Sequence, residues 1–358
     1  MTSSSRILLS LRTPIAGLLL AAITGCGTLV LNRPPIDVTP RYAYATDSAA
    51  GQILAFSVNS STGALSPLGS TSVAAGPTAI GSDATGGFLY AASSDGTVSG
   101  FSVNATSGAL QPISGSFTAG TQPVSIAVDA NDRFVYVANA GSNDISAFRE
   151  NSSTGVLTAL SSTFSTSGTP RRVIIEPSGR FVYVTEGTTG TGVFLINSDG
   201  SLTLQQTVPP SNVAATAIAV EPRLRYAYIA DNQKGVTAYT VESTTGKLTA
   251  ISSASFTSGT APVAVVVDPS GSFLYVANAG SNDVAAFVIN SNGLLTAAGS
   301  NQSLGSAPQD LTVDPSGKFL YAITSFEIAA FTIGSGGVLS PAGTTTAGTN
   351  LSAVAVLP

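Results

Sequence analysis

The sequence predicts an all-β chain: one seven-bladed β-propeller with four antiparallel strands per blade, its ring closed by a C-terminal strand that joins the N-terminal blade. Three observations carry this. An aromatic-x-Tyr pair recurs seven times, at Tyr42/Tyr44, Phe88/Tyr90, Phe134/Tyr136, Phe181/Tyr183, Tyr226/Tyr228, Phe273/Tyr275 and Phe319/Tyr321, with first members 46, 46, 47, 45, 47 and 46 residues apart. A fixed period in this range marks a propeller or a solenoid. Each period holds four short apolar runs parted by turn residues, and apolar spacing near 3.6, which a helical solenoid needs, is absent. Finally, the first unit lacks one strand and the end of the chain has one to spare.

The unit beginning at Pro123 shows the reading. Val124–Val128 alternates as a strand and Asp129-Ala130-Asn131-Asp132 turns; Phe134–Ala138 is a second strand and Ala140-Gly141-Ser142-Asn143 turns again. Ile145–Phe148 is the third, Asn151–Gly155 ends it, and Val156–Leu160 is the fourth. Four strands of four to six residues in about 46 are one propeller blade. β-branched and aromatic residues fill the strands, and Asp-Pro-Ser-Gly at 268–271 and 314–317 supplies turn chemistry. The first unit starts at its aromatic-x-Tyr strand, whereas Leu351–Val356 matches the missing preceding type. A strand from about 350–357 is therefore expected beside strands from about 42–70, hiding both open edges.

Before the repeats lie two other segments. Residues 1–25 read as a leader, with Arg6 and Arg12 ahead of a short apolar core from Pro14 to Ile23. That core is too short to span a bilayer. It ends in Ile23-Thr24-Gly25-Cys26, which resembles the bacterial lipobox, so Cys26 is expected to be lipidated and to become the new N-terminus; an ordinary secretory signal with an incidental Cys is the plainer alternative. Cys26 is the only Cys in the chain. Residues 26–40, with three prolines, are expected to be a tether, and 41–358 the propeller. These features imply an exported lipoprotein of the bacterial cell envelope, held to the membrane only by its lipid.

Composition closes many reaction classes. Only 9% of the 358 residues are charged, against about 25% in an average protein. No His is present, which excludes Ser-His-Asp and Cys-His catalysis and His-ligated metals. A single Cys allows no internal disulfide and no thiolate metal cluster. Net charge is −5 and falls by two more with the leader, and no basic run exists to grip a phosphate backbone, so nucleic acid is not an expected partner. No cofactor is expected. The octapeptide Val-Ala-Asn-Ala-Gly-Ser-Asn-Asp, at 137–144 and 276–283, lacks calcium-loop spacing and reads as hairpin turn, so no metal is expected either.

Phe-Val-Tyr-Val-Ala-Asn at 134–139 and Phe-Leu-Tyr-Val-Ala-Asn at 273–278, with turns such as Asp314-Pro-Ser-Gly-Lys318, resemble the YVTN-type propellers. Residues 41–358 are most similar to the lactonase propeller family, which includes 6-phosphogluconolactonase and muconate cycloisomerase-like enzymes. That family's Gly-Pro-Arg-His segment is matched by Gly168-Thr169-Pro170-Arg171-Arg172, so Arg171 falls at the Arg and Arg172 at the His. Its Asn-Glu strand end is matched by Glu186-Gly187, and a one-residue shift brings Glu186 onto the Glu. The resemblance implies that Arg171 and Glu186 could act on a carboxylated or phosphorylated sugar-acid lactone, Arg as anion clamp and Glu as base.

Read from the residues, Arg171 and Arg172 begin an inner strand near a channel mouth, as an anion-binding pair or as a surface pair balanced by Glu176 or Glu186. Glu186, Asp231 and Glu327, with Asn139 and Asn278, follow the second strands of their blades, where they could ring that mouth or simply serve turns. The leading expectation is a propeller that binds a small molecule, glycan or protein partner at its face. The alternative is a lactonase or cycloisomerase.

Overall fold

The computed structural model describes residues 39–358, apart from Ala74, Ser116, Asp132, Ser162, residues 210–213 and Lys234; of residues 252–255 it describes the backbone alone. The leader, Cys26 and all but the last two residues of the tether lie outside the described residues. Every described regular element is a strand, and the strands form seven antiparallel sheets, one per repeat. The third blade shows the pattern: Pro123–Val128 is innermost, followed outward by Phe134–Asn139, Asp144–Glu150 and Leu157–Ala159. In blades two, three and six the outer strand comes in two pieces, such as Leu157–Ala159 and Phe164–Ser165, both pairing with the same third strand. Elsewhere the outer strand is continuous and takes up the irregularity as a register shift, for example between Ala55 and Phe56.

The ring closes as expected. Leu351–Leu357 pairs antiparallel with Tyr42–Asp47, Tyr44 opposite Ala355, so the first blade is built from both ends of the chain. Asp47 latches the junction: it is fully buried and accepts the backbone N–H groups of Thr349 (2.8 Å) and Asn350 (3.1 Å). Burial alone would raise its carboxyl pKa; these donors and Ala50 outweigh that and hold it below the ordinary carboxylate range.

The repeated aromatic-x-Tyr pair has a defined partner. Each Tyr hydroxyl donates to a glycine carbonyl in the hairpin between the third and fourth strands of the next blade: Tyr44 to Gly108 (2.7 Å), Tyr136 to Gly200 (2.9 Å), Tyr228 to Gly293 (3.0 Å), and so on to Tyr321, which reaches Gly63 of blade one (2.9 Å). The first member of the pair covers the same glycine. Gly200 has φ +91°, and a Cβ there would collide with the Phe134 ring. Only glycine satisfies both demands. Seven such locks stitch the blades, and burial drives the pKa of six of the tyrosines far above that of a free phenol.

A second repeated device sits in the turn between first and second strands. Asp83, Asp129, Glu176, Glu221, Asp268 and Asp314 are buried there in blades two to seven and accept turn N–H groups, as Asp268 does from Phe273 (2.7 Å). These carboxylates replace the strand-to-strand partners that a tight turn removes.

Candidate functional site

All seven inner strands meet around one axial cavity of about 250 Å³. One register position recurs near the start of these strands, at Thr78, Val124, Arg171 (just ahead of Arg172–Ile175), Thr216, Val263, Gln309 and Ser352, and every one lines the cavity. Their hydroxyls also join blades: Ser352 donates to Pro77 O (2.8 Å), Thr78 to Pro123 O (2.7 Å) and Thr216 to Pro262 O (2.8 Å). Side chains that close the wall and face the cavity thus come from the same register position.

The next position is more selective. It holds Ala79, Ser125, Arg172, Ala217, Ala264, Asp310 and Ala353. Five are small, of which Ala79, Ser125 and Ala353 line the cavity, and the two charged ones meet across it. Arg172 Nη1 lies 2.9 Å from Asp310 Oδ1, joining blade four to blade seven, three blades away around the ring. Asp310 is 4% exposed while Arg172 is 35% exposed, so the carboxylate is the fixed partner. Its other oxygen accepts the Val354 N–H (3.2 Å) from the closing strand. The contact to Arg172 is an ion pair without hydrogen-bond alignment, which leaves Oδ1 without a hydrogen-bond donor.

Arg171 is exposed at the start of its strand, and among the described residues its guanidinium has no ion-pair partner. Its Nε runs beside Gly187 (φ +59°), 3.3 Å from where a Cβ would stand. Any side chain at 187 would press on Arg171. Among the described residues the charged groups of the cavity wall are therefore Arg171, Arg172 and Asp310, two cations and one anion. Such a site can hold an anion or stabilise an oxyanion, with a carboxylate alongside to accept a proton.

Glu186 sits behind this wall. It is 1% exposed, one oxygen accepts the Ser167 N–H (2.8 Å), and the other is buried against Gly192 without a partner. Burial lifts its pKa above the ordinary carboxylate range, despite donors from the Ser167–Gly168 backbone. Arg171 and Glu186 are thus neighbours through Gly187, and only Arg171 lines the cavity.

The other residues singled out from sequence lie apart from the cavity lining. Asn139 is buried and donates to Asp144 (2.7 Å) and Ser146 (3.0 Å) within its own blade. Asn278 repeats this with Asp283 (2.7 Å) and accepts the Ser258 hydroxyl (2.9 Å). Asp231 is buried and accepts the Gln233 N–H (3.0 Å). Glu327 borders a separate cleft of about 90 Å³ beside Gly305. Asp310 escaped the sequence reading. Laying the seven inner strands side by side would have exposed it, as one of two residues that are neither Ala nor Ser at its position.

A family model described as "Lactonase, 7-bladed beta-propeller" matches residues 41–356. The chain belongs to the lactonase seven-bladed propeller family. No curated protein matches it. Among solved structures, this lactonase-family chain is similar to a protein of Bacteroides uniformis provisionally named 6-phosphogluconolactonase, at 21% identity and TM-score 0.79, covering 89% of this chain and all of that one. A Bacteroides fragilis protein with the same provisional name gives 21% and 0.78 over 91% of this chain and 100% of that one. The Pseudomonas aeruginosa periplasmic gluconolactonase PpgL gives 16% and 0.74 over 89% and 99%. At these identities the likeness is one of fold.

Proposed function

We propose that this chain is an exported, lipid-anchored lactonase that opens a sugar-acid lactone in its axial cavity. The observation that carries the reading is the meeting of Arg171, Arg172 and Asp310 on the axis of a family-typical propeller. Membership in the lactonase family supports it, and so does the likeness to a periplasmic gluconolactonase, since the leader and Cys26 also point to export. A volume of about 250 Å³ lies just under the range of drug-sized pockets and fits a single sugar ring.

In this mechanism Arg171 donates to the lactone carbonyl oxygen, where negative charge grows as water attacks. Asp310 takes the proton released by that water and passes it to the ring oxygen as the ring C–O bond breaks, which yields the hydroxyl and the free acid and returns Asp310 to its carboxylate. Arg172, tethered to Asp310, keeps the carboxylate aimed into the cavity. Glu186 is the positioning residue: it holds the Ser167 backbone and thereby the approach to Arg171. The full cell-free chain, offered a panel of aldonic δ- and γ-lactones under a pH-stat, should release acid faster than the spontaneous rate. Arg171→Ala should remove roughly a hundredfold of that rate. Absence of turnover across the panel would sink the lactonase reading and return the protein to ligand binding without chemistry.

A further inference from the structure

We propose that Asp310 is a specificity-determining residue: by neutralising Arg172 it leaves Arg171 as the one uncompensated charge of the cavity, so that the site takes a monoanionic sugar acid and its neutral lactone and rejects a dianionic sugar phosphate. The inference rests on the lactonase reading for its ligand class, but its physical basis is the charge layout alone. At the inner-strand register position shared by Arg172 and Asp310, five blades supply Ala or Ser, blade four supplies Arg172 and blade seven supplies Asp310. Among the described residues no other charged side chain lines the cavity, so the described wall carries a net +1. That charge matches the single carboxylate that opening of a lactone ring creates.

Asp310 has little freedom to move aside for a more negative guest. It is 4% exposed, and its Oδ2 is tied to the Val354 N–H of the closing strand. A phosphate monoester, close to a dianion at neutral pH, would bring its second charge against this fixed carboxylate in a site that solvent screens poorly. Without Asp310 the wall would carry two free guanidinium groups and would favour the dianion, since Arg clamps phosphate bidentately.

Calorimetric titration with gluconate, a monoanion, and with 6-phosphogluconate, which adds a phosphate dianion to the same carboxylate and so carries about −3, tests this at pH 7.5 independently of turnover. Wild-type protein should bind gluconate more tightly. Asp310→Asn should shift the ratio toward 6-phosphogluconate by roughly tenfold to a hundredfold, the effect of one unit charge at several ångströms in a partly screened site. Arg172→Gln combined with Asp310→Asn restores the net +1 and should restore the wild-type ratio, which a merely structural role for Asp310 would not do. Wild-type preference for 6-phosphogluconate, or a ratio unmoved in Asp310→Asn, would overturn the inference. Should the ratios move as stated while no lactone is hydrolysed, the lactonase reading falls and the role of Asp310 stands.

Discussion

Removing the closing strand should unfold the ring rather than trim it. Leu351–Leu357 buries Leu351, Val354, Val356 and Leu357 at 1%, 6%, 9% and 0% exposure. At about 1.5–3 kcal/mol for each buried side chain, these four contribute about 6–12 kcal/mol as an upper bound. A whole domain is stable by about 5–15 kcal/mol, so the loss is of the size of the total. The same deletion strips Tyr42–Asp47 of its neighbour, leaves Asp47 buried without Thr349 or Asn350 once the cut precedes them, and frees Asp310 from Val354. The assay is guanidinium unfolding, followed by tyrosine fluorescence, of a chain ending at Gly348, which keeps Leu339–Thr346 intact, against the full chain. A synthetic peptide spanning residues 349–358 should restore part of the transition, and Leu357→Ala should cost about 2–5 kcal/mol on its own. An unchanged midpoint in the truncated chain would refute the closure argument.

Other outcomes follow from the same contacts. Tyr136→Phe leaves the Gly200 carbonyl without its buried donor and should cost about 1–3 kcal/mol in denaturant stability. Gly200→Ala forces a Cβ into the Phe134 ring at φ +91° and should lower stability further than Tyr136→Phe does. Six lock tyrosines have pKa values raised by burial, so their contribution is intact below about pH 10, the free phenol value, and is lost as pH rises toward the folded value. The phenolate absorbance of these six should therefore appear together with unfolding, and their titration in the folded state near pH 10 would contradict this. Cys26→Ser should abolish incorporation of radiolabelled palmitate and release the protein from the membrane fraction; retained label would exclude Cys26 as the anchor.

The blade architecture was legible because its signal is local and repeated: an aromatic-x-Tyr pair, a polar turn and a glycine hairpin recur in each unit. Even the ring closure could be read, since a missing strand at one end matched a surplus strand at the other. The partners of those motifs were less legible. Tyr136 and Gly200 are 64 residues apart, and only the assembled ring shows that the lock reaches into the next blade. The site was legible in half. Arg171 and Arg172 stand out in a chain poor in charge, whereas Asp310 looks like any polar residue in a strand until the ring sets it opposite Arg172. Glu186 follows its strand as expected, but the backbone turn at Gly187 sends its carboxylate toward Ser167 and Gly192.

The two-ended first blade also fixes when the molecule can become whole. Tyr42–Asp47 is synthesised early, yet its inner neighbour is the last strand of the chain, some three hundred residues later. The Tyr321 lock likewise waits for blade seven to come back to Gly63, and the Arg172–Asp310 pair forms only when blades four and seven face each other. A nascent chain therefore has an unpaired strand and an unfinished cavity until its final residues emerge. Stability and the finished cavity therefore arrive together, with the pairing of the last strand.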